Sequence, residues 1–338
     1  MSALKTTNTA LIERLLNDIG GQLITKYVQT HDTANIARRF GGIKKTLDIL
    51  TFDNAKKMIR GFKKDGSSLG EEFNYDKVRL SVAKFMIVLD VTPMEDQIEA
   101  FDAELDAQNV IKESINDQVY AVQFFQWLLG KTLAYMDAEL EDADWKAINV
   151  TGAADDDFLI NKFDGFRRQA ATLAAAGKGT VVNTGVIDAT NAVAKVELFY
   201  GGFDKQLKRR GAIIACSFNT FDNYKVNWRT INQGRELGVT QFEGTKYQSI
   251  SIYLGGGLVT LVPFQGIGDD DVLIGFPQES LAIGYEMLGD WNVQMRSFTV
   301  YGYLALKYGV TFLYQYPGYL VVNDRLIATE ITTPRTNA

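Results

Sequence analysis

The segment FTVYGYLALKYGVTFLYQYPGYLVV, residues 298–322, holds eight aromatic side chains and one charge, Lys307. Such a run is a membrane span, an ordinary core element or one unusually long strand. A membrane helix needs about 20 consecutive apolar residues, and Gly302, Gly309, Pro317 and Gly318 interrupt this one. The strand template fits better. Even positions from Phe298 to Tyr316 are apolar apart from Gly302, whereas odd positions include Thr299, Lys307, Thr311 and Gln315. That period of two predicts a strand with one buried face. From 298 to 316, an extended chain at ~3.3 Å per residue reaches about 60 Å, far beyond a common strand. Either Gly309 bends the run into two strands, or the domain is elongated in a way foreign to a compact enzyme. A membrane barrel would need many alternating segments of about 10 residues, and most of the chain reads as helical instead.

The rest of the chain narrows the function classes. At 338 residues, length alone suggests two or three domains. With 46% hydrophobic and 22% charged residues, the composition is that of a folded soluble protein. A net charge of −6, with only short basic clusters such as Lys208-Arg209-Arg210, argues against a dedicated nucleic-acid binder. One cysteine and one histidine exclude an internal disulfide and a Cys/His zinc site. Cys216, inside AIIACSF, reads as a buried strand residue rather than a nucleophile. His31, in the polar stretch QTHDTAN, reads as a loop histidine, and no nucleophile-elbow sequence stands ready to join it in a triad.

The N-terminus lacks the apolar stretch of a signal peptide, so the protein is expected to be cytoplasmic at synthesis. It reads as an amphipathic helix with Leu11, Ile12, Leu15, Leu16 and Ile19 on one face, stopped by Gly20 and Gly21. Residues 46–92 read as a long hairpin whose tip, IRGFKKDGSSLGEEFNYDK, is rich in glycine, serine and mixed charge. A charged tip on so long an arm has no purpose within a monomer. Phe62, Lys63, Lys64, Asp65, Glu71 and Glu72 are therefore the candidate inter-subunit contacts.

TPME at 92–95 is a capping box opening a helix over 93–106, with Ile98, Phe101 and Leu105 inward. A much longer helix is predicted over 112–148, with Leu129, Leu133, Met136 and Leu140 on one face. Its acidic run MDAELEDADW lacks the Glu-x-x-His spacing of carboxylate-bridged metal sites, so a solvated face is expected. The Asp triplets at 155–157 and 269–271 lack calcium-loop spacing and read as turns. DGFRRQAATLAAA is a short helix stopped by Gly177. From about 180 to 297, NAVAKVELFYGGFDKQL and NTFDNYKVNWRTINQ are helices flanking the strand AIIACSF. SISIYL, GLVTLVPF and VLIGFP are short strands of a compact α/β unit. GKGT at 177–180 is no phosphate loop, because Thr172 stands where the upstream glycine belongs. No catalytic constellation, cofactor fingerprint or DNA-reading motif emerges, and no metal site is expected.

This order of parts resembles the major capsid proteins of tailed bacteriophages, the Hong Kong ninety-seven type fold. INVTG after the long helix looks like that family's break, and AIIACSFNTFDNYKVNW resembles its strand, turn and helix. SIYLGGGLVTLVPFQGIGDDDVLIGFPQESLAIGYE is similar to its run of strands, Gly-rich turn and acidic loop, and YQYPGYLVVND to its proline-marked ending. The likeness covers nearly the whole chain, and order and spacing carry it. It implies an α+β fold with an N-terminal arm (1–45), an extended hairpin loop (46–92), a peripheral domain with a spine helix and long antiparallel strands (93–178 and 298–338), and an inserted axial α/β domain (179–297).

By the same resemblance the chain would be a non-enzymatic shell protein of pentamers and hexamers, enclosing double-stranded DNA in a virion head assembled in the bacterial cytoplasm. Expected partners are further copies of itself, a portal protein, a separate scaffolding protein, a possible decoration protein and non-specifically packaged DNA, with no membrane and no cofactor. Where cross-linking members place an Asn and a catalytic Glu ahead of the closing proline, this chain has Val300 and Lys307, so covalent cross-linking is not expected. An encapsulin nanocompartment of the same fold, or an enzyme using the 179–297 unit, is the alternative.

Overall fold

The computed structural model describes residues 31–52, 75–91, 95–107, 117–150, 158–254, 257–287, 292–296 and 299–332. The predicted N-terminal helix, residues 92–94 of the capping box, the first Asp triplet and residues 59–74 of the hairpin tip lie outside them.

The aromatic run does form a long strand, β13 (Thr299–Phe312), of 14 residues. At ~3.3 Å per residue it is about 45 Å long. It forms the middle of a five-stranded sheet. On one side β4 (Ala83–Val91) runs antiparallel from the Tyr308–Ala83 pair to the Val300–Val91 pair. On the other, β11 (Leu281–Met287) and β12 (Asn292–Arg296) pair with it end to end. A short strand, β1 (Arg38–Gly41), adds in parallel outside β11.

Gly309 does not bend the strand. It faces Gly284 across the β11–β13 ladder, and a Cβ on Gly309 would lie 2.1 Å from the Ser81 carbonyl oxygen. The glycine pair instead lets another backbone lie against the sheet. That backbone belongs to β3 (Tyr75–Ser81), which pairs with β2 (Thr46–Phe52) in a two-stranded ribbon. Leu80 of β3 and Ile43 reach the same spot over Gly284. The break falls at Pro317 and Gly318, whose positive φ of 83° suits glycine. Beyond it the run continues as β14 (Val321–Asn323) in a second sheet.

The expectation of a single buried face also needs correcting. Leu306, Tyr308, Val310 and Phe312 are buried, but so are Lys307 and Thr311 on the opposite face. The β2–β3 ribbon and the helices cover the two sides of this half of the strand. Lys307 is accommodated by an ion pair with Glu286, its cross-strand neighbour.

The second sheet has seven strands. Their order is β5 (Thr180–Val182), β14, β10 (Leu273–Phe276), β6 (Ala212–Cys216), β9 (Gly257–Pro263), β8 (Gln248–Leu254) and β7 (Thr240–Gln241). Every residue of β6 is buried, as a continuously apolar strand covered on both faces must be. Ile213 and Ala215 join one core, whereas Ala212, Ile214 and Cys216 join the other. The second core is closed by α5 (Ala192–Gly201), α6 (Lys205–Arg210) and α7 (Phe218–Ile231). Ser217 caps α7 by accepting from the Thr220 amide.

The long helix is α3 (Asp117–Lys146), 30 residues and hence about 45 Å. Met136 and Leu140 are buried on it as expected, joined by Phe124, Leu128 and Ala143. The side chains of Leu129 and Leu133 lie outside the described residues. Phe101 and Leu105 of α2 (Glu95–Ala107) are buried, and Phe101 packs edge-on against Phe124 at 5.5 Å. Next comes α4 (Phe166–Ala175), followed by Gly177 at φ 76°. Among the described residues no helix is long and apolar enough to cross a membrane.

Candidate functional site

A densely connected buried polar site lies where four parts of the chain converge, and it contains the single histidine. His31 does lie outside regular structure, in the bend that precedes α1 (Asp32–Ile36) as its N-cap, but it is 1% exposed and takes part in a buried network. The solvated-face reading of MDAELEDADW is overturned for two of its acids. Glu141 and Asp144 are buried, and their i, i+3 spacing puts them on the same side of α3.

His31 Nε2 lies 2.8 Å from Asp144 Oδ2. The Tyr308 hydroxyl, from the centre of β13, donates to Asp144 Oδ1 at 2.7 Å and lies 3.1 Å from His31 Nε2. Glu141 is held by the N-terminal side as well. The Thr33 amide donates to Oε2 at 2.9 Å and the Thr33 hydroxyl to Oε1 at 2.6 Å. Trp145 Nε1 donates to the Thr33 oxygen at 2.9 Å. From just ahead of β8, the Tyr247 hydroxyl donates to Glu141 Oε1 at 3.0 Å and accepts from the Gln265 amide at 3.3 Å. The network thus ties the segment after residue 30, the long helix, the long strand and the seven-stranded sheet to one point.

Burial sets its electrostatics. Desolvation pushes the Glu141 carboxyl up to about 7, with the His31 charge opposing and Asp144 adding to the rise. Burial followed by the Asp144 charge raises the Tyr308 phenol well above its ordinary value. Burial likewise raises the Cys216 thiol, which leaves it a poor nucleophile, as its strand position implies. Donor atoms of His31, Glu141 and Asp144 lie within 4.8 Å of one another, close enough to share a cation. Each carboxylate oxygen already has a hydrogen-bonding partner, however, so we read the trio as a hydrogen-bonded junction and not a metal centre. A cavity of about 580 Å³ opens beside it, lined by Glu141, Tyr247 and Phe218 among others.

A second buried junction uses the Asp triplet at 269–271. Arg167 of α4 is fully buried. It lies 3.0 Å from Glu330 Oε1 and 2.9 Å from Asp270 Oδ2, and it donates to the Ile267 carbonyl. Asp271 accepts from the Ile187 amide. The triplet is a turn, as expected, but one that anchors its surroundings.

The sequence-predicted contact residues Phe62, Lys63, Lys64, Asp65, Glu71 and Glu72 all lie outside the described residues. Val300 and Lys307 sit in β13, opposite Val91 and Lys84 of β4. The buried junction was missed because its members are far apart in sequence. The available signal was Leu140, Ala143 and Trp145 interleaved with the acids, a pattern at odds with a solvated face.

No protein-family model matches the chain, and no curated protein matches its sequence. Among solved structures, a chain of the satellite phage P4 procapsid including size determination (Sid) protein is similar over 91% of this chain and 90% of that one. Its TM-score is 0.57, with 8% identity. The capsid of the native GTA particle aligns over 87% of this chain and 89% of that one, at a TM-score of 0.47 and 15% identity. The bacteriophage PhiM1 mature capsid aligns over 86% of each chain at a TM-score of 0.42, with 11% identity. The first of these carries the fold assignment: this mixed helix-and-sheet chain has a phage capsid protein fold.

Proposed function

We propose that the chain is a structural shell protein that self-assembles into pentamers and hexamers, forming the head that encloses the packaged double-stranded DNA of a tailed phage. The observation that supports this best is the likeness to a P4 procapsid chain over nine-tenths of both chains at a TM-score of 0.57. The physical logic agrees with it. Heterologous contacts that close into rings, and rings that join into a shell, require each subunit to cover several neighbours at once. A long central strand and a long helix make a broad subunit, and arms enlarge interfaces without enlarging the core.

In this reading residues 1–45 are the arm and 46–92 the extended loop. Residues 93–178 with 298–338 form the peripheral domain, and 179–297 the axial one. The tip residues Phe62 to Glu72 would lie on a neighbouring subunit, where mixed charge gives register and specificity more than affinity. A net charge of −6 suits an inner wall that confines DNA without gripping it. A portal and a separate scaffolding protein complete the assembly.

Sedimentation of the purified chain tests the reading. Rings or shells many times heavier than the 37.7 kDa subunit are expected. Deleting residues 61–75 should leave a folded subunit that assembles poorly. Normal shells from the truncated chain would remove the tip from the interface.

A further inference from the structure

The junction at His31 has a charge problem that its geometry resolves in one way. With all three groups ionised, His31, Glu141 and Asp144 would place a net negative charge on side chains that are almost fully buried. A buried carboxyl group in that position takes up a proton instead. Other charged groups nearby do not restore the balance. Lys246 is ion-paired with Asp137 at 3.2 Å, while Asp32 and Asp222 add negative charge along the cavity beside Glu141. Tyr308 from β13 and Tyr247 ahead of β8 bring no cation, their phenols being raised by burial.

The donors also select the atom. Oε2 of Glu141 accepts from the Thr33 amide, which cannot reverse its role. Oε1 faces the hydroxyls of Thr33 and Tyr247, and a hydroxyl can accept as well as donate. A hydrogen on Oε1 would reverse the Thr33 hydroxyl, which would then accept from Oε1–H across the same 2.6 Å, alongside the Trp145 Nε1–H that it already accepts.

We propose that the docking of residues 31–36 onto α3 is proton-linked: Glu141 carries a hydrogen on Oε1 in the docked state, and its loss loosens the segment. The carboxyl value of about 7 agrees with this geometry. Because it lies above the ordinary carboxylate value, the stabilisation is complete below the ordinary value, 4.5, and lost as pH rises through about 7. Acid tightens the junction and mild alkali opens it. The inference concerns the subunit alone and is independent of the shell reading.

Amide hydrogen exchange of the full-length chain at pH 6 and pH 8.5, corrected for intrinsic rates, tests it. In the wild type the amides of Thr33, Asn35 and Ala37 should lose protection roughly tenfold or more at the higher pH, as a proton-linked equilibrium shifts about tenfold per unit. Amides of β6 should not change. Glu141→Gln imitates the protonated group, donating where Oε1–H would donate, and should hold its protection at both pH values. Equal protection of the wild type at both pH values, or the wild-type loss persisting in Glu141→Gln, would overturn the proposal. Infrared difference spectra of the wild type supply a readout that needs no variant. A protonated-carboxyl band present at pH 6 should vanish by pH 8.5, and a spectrum without one contradicts the assignment.

Discussion

The two sheets are stabilised in different ways. The seven-stranded sheet holds a dry strand at its centre, Ala212–Cys216, buried on both faces by aliphatic and aromatic side chains. The five-stranded sheet admits polar groups to its interior. Lys307 pairs with Glu286 inside it, and Tyr308 on its central strand reaches the His31–Asp144 pair. Apolar packing is nearly indifferent to pH and tolerates the loss of a partner in proportion to the volume lost. A buried ionic junction is sensitive to pH, and losing one member strands the others. On the proposal above, an apolar strand at the centre of one sheet contrasts with a junction on the other whose hold on residues 31–36 responds to pH.

The sharpest way to break this contrast is Asp144→Ala. It leaves His31 and the Tyr308 hydroxyl buried without their acceptor, and the expected cost is about 3–5 kcal/mol in denaturant unfolding. Replacing His31 and Asp144 together by Leu should cost clearly less than Asp144→Ala alone, since no stranded charge remains. Equal costs would mean that the pair is not the source of the sensitivity. Ile214→Ala in β6 should cost about 2–5 kcal/mol, with the same value at pH 6 and pH 8.5. Gly309→Ala should cost about 1–3 kcal/mol, because the new methyl meets the Ser81 carbonyl. Hydrogen exchange should place that loss at the foot of the β2–β3 ribbon and not in the seven-stranded sheet.

How much of this was legible in the sequence follows the same division. β6, β8, β9 and β10, α7 and the long helix stand where apolar runs and periodicity put them, because burial of apolar side chains is written locally, whereas the single helix read over NAVAKVELFYGGFDKQL is two, α5 and α6, parted at Gly202–Asp204. The closing run was recognised as a strand by its period of two. Its division between two sheets was not, since Gly309 and Pro317 look alike as breakers until the neighbouring backbone is seen. Gly309 serves a close approach, and only Pro317–Gly318 turns the chain. The buried face of Lys307 was hidden for the same reason, as Glu286 lies 21 residues away in sequence. His31 lies 113 residues from Asp144, and no periodicity links them. A histidine in a polar stretch reads as a loop residue, and nothing local shows the distant partners that bury it. The order and spacing of elements, taken as a whole, was informative where single motifs were not, and it led to the capsid-type fold.

The central claim is that this fold builds a shell. Electron microscopy of the purified full-length chain, across salt concentrations and with a co-expressed scaffold, tests it most directly. The account predicts hollow closed particles or rings of five and six subunits, and dispersed monomers under every condition would contradict it.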